Sequence, residues 1–77
     1  PMAVNRLGVE FLDMVRENVA VNAQEFCDKL NPYIIKVEMN DLYSTAKKLK
    51  IFSLFTMLSN CDEKERIKYA KKLSKLL

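Results

Sequence analysis

The stretch Ile51-Phe52-Ser53-Leu54-Phe55-Thr56-Met57-Leu58 decides how this chain is read. Apolar side chains occupy nearly every side of it, and Ser53 and Thr56 are its only polar gaps. Asn40 or Asp41 is placed to cap a helix running from there through this stretch toward Ser59, with Asn60 as its stop. That helix has about nineteen residues and is about 28 Å long at about 1.5 Å per residue. Its first half is amphipathic, with Leu42, Ala46 and Leu49 on one face and Lys47, Lys48 and Lys50 off that line. At about 100° per residue, the apolar centre then shifts by more than about 90°, to Ile51, Leu54, Phe55 and Leu58. Either one helix is covered on different sides along its length, or it breaks near Lys50 and re-aims. No breaker residue stands at the shift, which favours one buried helix. A strand is the lesser alternative, because no hairpin turn offers it a partner.

Working outward, the amino-terminal side predicts a helix from about Val4 to Asn18. Val4, Leu7, Phe11, Leu12, Val15 and Val19 recur at helical spacing, Met14 widens the stripe, and Glu10, Asp13, Arg16 and Glu17 form the wet face. Gly8 costs about 1 kcal/mol relative to Ala inside a helix. It either admits a close neighbour or is merely tolerated near a helix start. Asn22-Ala23-Gln24-Glu25 is a capping-box pattern, and Val21 and Phe26 are spaced as a hydrophobic staple. A second helix over Ala23–Leu30 follows, with Phe26, Cys27 and Leu30 buried. Asn31-Pro32 ends that helix or starts another. The run Tyr33-Ile34-Ile35-Lys36-Val37-Glu38-Met39 alternates as a strand would, yet also puts Tyr33, Ile34 and Val37 on one helical face. It reads as a short helix or an extended linker.

On the carboxyl-terminal side, Asp62-Glu63-Lys64-Glu65 is a second capping-box pattern, with acids suited to the positive end of a helix dipole. Ile67, Ala70, Leu73 and Leu77 make one face, with Tyr69 and Leu76 beside it. Lys64, Lys68, Lys71, Lys72 and Lys75 make the other. The expected fold is therefore all-α: a single domain over residues 1–77, a compact bundle of four or five helices around a central apolar helix.

Composition fits this. The 77 residues are nearly half apolar with one Gly, which is a globular helical makeup rather than a disordered one. A chain this short buries only about 60% of its unfolded surface and gains about 3–5 kcal/mol net from one core. Charge is lopsided. Residues 1–39 carry four basic and six acidic side chains, and residues 40–77 carry nine basic and four acidic. Cys27 and Cys61 read as reduced thiols of an intracellular, cytoplasmic protein. The apolar run 51–58 is far short of the roughly 20 residues that span a bilayer. Pro1 ahead of Met2 reads as a remnant of tag cleavage, with Met2 as the natural start.

The chain has no His, which removes the usual general base and the commonest metal ligand. Two isolated cysteines do not make an ordinary zinc site. The carboxylates are scattered over caps and wet faces, and no phosphate-cradling glycine loop or calcium loop is present. The expectation is a non-enzymatic protein with no cofactor and no metal.

Two surfaces remain as candidates. The first is apolar excess: Phe55 together with Tyr33, Ile34, Ile35, Met39, Phe52 and Met57 strains the capacity of one small core. Either all are core, or the surplus forms a Met- and Phe-bearing docking patch built from the last six, for another protein or a second copy. The second is the lysine surface: Lys64, Lys68, Lys71, Lys72 and Lys75, joined by Lys47, Lys48 and Lys50, could neutralise phosphates of a nucleic acid. It lacks the Arg, Asn/Gln and aromatic mixture that reads or stacks bases, so contact would be mostly non-specific. A lysine-rich outer face is also the ordinary way a helix keeps to water. The leading expectation is a protein–protein interaction module, an adaptor or regulator, with a nucleic-acid accessory role as the alternative.

Overall fold

Four segments become four helices in the computed structural model, which describes residues 5–77. They are α1 (Arg6–Glu17), α2 (Ala23–Glu38), α3 (Thr45–Asn60) and α4 (Glu63–Leu76). The expectations that fall on Pro1, Met2 and Val4 lie outside the described residues. No strand occurs among the described residues.

The helix starts obey local chemistry. Asn5 Oδ1 accepts from the Gly8 amide at 3.0 Å, Asn22 Oδ1 from the Glu25 amide at 2.8 Å, and Ser44 Oγ from the Lys47 amide at 3.1 Å. Asp62 holds the cap position of α4, but its side chain makes no capping bond; its carbonyl accepts from the Glu65 amide at 2.9 Å. The second expected capping box is thus right in position and not in bonding.

Two segments depart from the sequence expectation. Asn31-Pro32 does not divide α2, which runs unbroken from Ala23 to Glu38. Pro32 lies on the exposed side, where the Asp28 carbonyl that loses its partner can turn to water. Helix also satisfies the Tyr33, Ile34 and Val37 face, and burial of Val37 outweighs the strand-like alternation. The other departure concerns α3, which begins at Thr45 and not at Asn40 or Asp41. Asn40 instead turns its side chain to the Leu42 amide at 2.9 Å, closing an Asx turn. The face of Leu42, Ala46 and Leu49 is not covered at all: all three are exposed. The phase shift at Lys50 therefore marks neither a break nor a change of covering layer. It marks the boundary between a bare stripe and a buried one.

The core is built evenly. Phe11 and Val15, Phe26, Leu30 and Val37, Ile51, Phe55 and Leu58, and Ala70 and Leu73 form one buried cluster. Phe11 sits edge-on to Tyr33 at 5.2 Å and to Phe55 at 5.8 Å, joining three helices in one aromatic contact. Helix α4 packs on α1 and α3, and α3 on α2, so the neighbour pattern does not single out α3 as an axis. The smallest extent, 18 Å, is that of two helix layers.

Gly8 resolves in favour of close approach. It is buried, and a Cβ there would collide with the Ser74 carbonyl oxygen and the Asn5 side chain. Asn5 Nδ2 donates to that same carbonyl at 3.0 Å, so the start of α1 is locked to the end of α4.

Candidate protein-docking face

The face is set by how α2 lies against α3. Cys27 Sγ approaches the Ser59 carbonyl at 4.0 Å, and Lys48 Nζ donates to the Glu38 carbonyl at 2.9 Å. Between these contacts the two helices run antiparallel with equal rise, so Ile34–Ile35 lies level with Ile51–Phe52, and Val37 with Leu49. On a wheel, Ile35 and Met39 each lie about 160° from buried Val37, and Leu49 lies about 160° from buried Ile51. All three point away from the bundle. Ile35 is 57% exposed, Met39 76% and Leu49 65%; Leu42, in the turn joining the helices, is 93% exposed.

The six residues expected on a docking surface therefore separate. Ile35 and Met39 stand on the bare face. Tyr33 and Ile34 turn inward and pack on the core, Tyr33 against Phe11 and under Lys36 Nζ at 5.3 Å. Burial, then the nearby Glu10 and Asp13 carboxylates, push the Tyr33 hydroxyl above its ordinary pKa. Phe52 is half-buried at the margin of the face. Met57, 42% exposed, lies two turns and more beyond Leu49, in a shallow depression of about 290 Å³ lined also by Asn60, Cys61, Asp62, Glu65 and Tyr69. Leu42 and Leu49 are the members that sequence reasoning missed, because it used them as core. Tyr43 was missed in the opposite sense: its hydroxyl donates to the Leu77 carbonyl at 2.7 Å and latches the α2–α3 turn to the end of α4.

The eight lysines singled out in the sequence fall into two groups. Lys64, Lys68, Lys71, Lys72 and Lys75 are all exposed on the outer side of α4. Lys68 and Lys72 flank the Tyr69 ring at 5.5 and 5.6 Å from its centroid. Of the α3 group, Lys48 is committed to Glu38, Lys47 rests over the Tyr43 ring at 4.7 Å, and Lys50 is exposed. The Tyr43–Leu77 latch brings the α3 group to the lysine-rich end of α4.

One buried charge was not foreseen. Arg66 is 5% exposed. Its Nη1 donates to the Val19 and Val21 carbonyls, each at 2.7 Å, and its guanidinium lies 4.3 Å over the Phe26 ring. Those carbonyls belong to the half-buried α1–α2 turn, which Arg66 thereby ties to α4. Arg66 Nε is buried and unpartnered. The signal was in the sequence: Arg66, Ala70, Leu73 and Leu77 follow the helical stripe, and Arg66 holds its first position.

Cys27 and Cys61 are free and half-buried, so Cys27 is less enclosed than expected. Burial and the Glu65 carboxylate push the Cys61 thiol up, and Arg66 opposes them more weakly. A thiol so shifted stays protonated and is a poor nucleophile. Among the described residues, no three His, Cys, Asp or Glu side chains are grouped to hold a metal ion. Among the same residues, no helix is long and apolar enough to cross a membrane. Comparison with protein-family models gave no match, and neither curated proteins nor solved structures gave one.

Proposed function

We propose that this chain is a small, non-enzymatic protein–protein interaction module, an adaptor or regulator that docks through the outer face of α2 and α3. The observation that carries the reading is the group Ile35, Met39, Leu42 and Leu49, four large apolar side chains more than half exposed and brought to one hairpin. A domain with so little interior gains nothing in its own stability from holding them in water, and such patches are typical of docking surfaces. Met39 adds the conformational adaptability suited to a partner's side chains. Two free thiols suit a reducing, cytoplasmic setting. The test is affinity capture from native-host extract with the wild-type chain and a Met39→Lys/Leu49→Lys variant, beside light scattering of both. A protein retained by the wild type and lost by the folded variant, or an oligomer that the variant dissolves, supports the module. Identical captured sets and identical masses oppose it.

A second reading is a nucleic-acid accessory role for the α4 lysines. It is favoured by one observation: from Arg66 to Leu77 there is no carboxylate, while four lysines stand exposed and two of them flank Tyr69. It predicts binding that weakens steeply with salt and is lost on changing Lys68, Lys71, Lys72 and Lys75 to Glu. A mobility shift absent at low salt for both DNA and RNA removes it.

A further inference from the structure

Charge around the bare face says what kind of chain would cover it. Lys36 lies on the α2 edge farther from α3, and Lys50, with Lys47 behind it, on the α3 edge farther from α2. From Leu42 through Cys61 the sequence holds no carboxylate. The acids on this side are Glu38 and Asp41 near the connecting turn, Asp28, about two turns from Ile35 and accepting from Gln24 Nε2 at 3.0 Å, and, beyond Lys36, Glu10 and Asp13 of α1 near Tyr33. The apolar strip thus has lysine at each long edge, Lys36 on one and Lys50 with Lys47 on the other. Its run from Ile35 to Met39 is about 6 Å along α2, a little over one turn, and Leu42 extends it into the connecting turn.

A second copy fits this poorly. A two-fold interface sets the same patch against itself; whether the axis runs along the helices or across them, a lysine-bearing edge of one copy meets a lysine-bearing edge of the other. A helix with apolar residues at i, i+3 or i+4, and i+7, bordered by acids, meets both requirements at once.

We infer that the occupant of the α2–α3 face is an amphipathic helix of a partner protein, with its apolar stripe flanked by Glu or Asp. This rests on the docking reading and adds the partner's chemistry to it. The strip supplies burial, and Lys36 and Lys50 supply selection, since a basic-flanked helix of equal apolarity is repelled.

The experiment presents the full chain to a displayed library of amphipathic helices. Each member has one fixed leucine stripe, with flanking positions drawn from Glu, Lys, Gln and Ala. Expected are binders enriched at least about ten-fold in Glu at the flanks, weakened by salt, and lost on Met39→Lys/Leu49→Lys. A Lys36→Glu/Lys50→Glu chain leaves the apolar strip intact and should turn the preference to Lys-flanked members. Circular dichroism checks that each variant keeps its helices. Binders lost on Met39→Lys/Leu49→Lys but indifferent to flanking charge overturn this inference and leave the docking reading standing. Binders that ignore both substitutions, or no binders, overturn both. A dimer of the free chain dissolved by Leu49→Lys also overturns the acidic-helix occupant while sparing the docking face.

Discussion

Two of the three helix seams in this bundle differ in kind. Where α1 meets α4, Gly8 admits the Ser74 carbonyl, Asn5 bonds the same carbonyl, and Arg66 reaches past α1 to hold the Val19 and Val21 carbonyls. Where α2 meets α3, Val37 and Ile51 are fully buried, yet Ile35 and Leu49 of the same helices stand in water. The first seam is specified by polar geometry that tolerates little substitution. The second is specified by apolar burial on one side only, which leaves its other side free for a different use. If the α2–α3 face docks a partner as proposed, stability and interaction fall to separate regions, and substitutions can pull them apart.

The largest break is expected at Arg66→Ala. It leaves the Val19 and Val21 carbonyls of the half-buried turn without their donor and strips the guanidinium from Phe26. Charge-assisted bonds are worth about 1.5–3 kcal/mol each, so a loss of about 4 kcal/mol is expected, near the whole stability of a domain this small. Urea denaturation should show little cooperative transition; a full transition near the wild-type midpoint would contradict the clasp. Leu58→Ala, at a fully enclosed site of α3, should cost about 3 kcal/mol through lost transfer energy and the cavity left behind. Gly8→Ala should cost about 2 kcal/mol although Ala is the better helix former, because backbone on the facing helix must move. A stabilised Gly8→Ala protein would show that the α1–α4 contact is looser than drawn.

How much of this was legible is best judged residue by residue. Caps at Asn22 and the stop at Asn60 are set by neighbours within four positions, and the sequence declares them. So does the buried side of α3, because Ile51, Phe55 and Leu58 repeat at helical spacing. Leu42 and Leu49 repeat just as regularly and are bare. Periodicity reports which residues share a side, and only the tertiary partner decides whether that side is covered; nothing packs on this one. Pro32 misled for a related reason: its cost depends on whether the lost bond falls on the wet side, and here it does. Arg66 was overlooked because a charge at a stripe position looks like an interruption until the carbonyls it serves are placed beside it.

The smaller predictions sharpen the contrast between the seams. Tyr43→Phe removes the donor to the Leu77 carbonyl and should cost about 1 kcal/mol. Burial raises the pKa of Tyr43, and of Tyr33, above the ordinary tyrosine value of 10.0. The folded chain thus holds these protons more tightly than the unfolded one. Stability is unaffected by them below the unfolded value and falls as pH rises from there through the folded values. Tyr43→Phe should reduce that alkaline loss in a pH series of thermal melts; an unchanged slope would mean that Tyr43 is not part of it.

The smallest effect is the most telling. Leu49→Ala lies on the same helix as Leu58→Ala, makes the same chemical change, and should alter stability by no more than about 0.5 kcal/mol. Leu49 is 65% exposed and Leu58 1%, so truncation at Leu49 opens no cavity and removes little that folding had buried. Ala is also the better helix former, which offsets part of what is lost. The comparison holds helix and residue type constant and varies only whether the tertiary partner is there. If denaturation gave Leu49→Ala a cost near that of Leu58→Ala, Leu49 would be covered in solution, by a second copy or by a rearranged turn. A near-zero cost, with binding lost in the same protein, would mean that Leu49 is held for a partner and not for the fold.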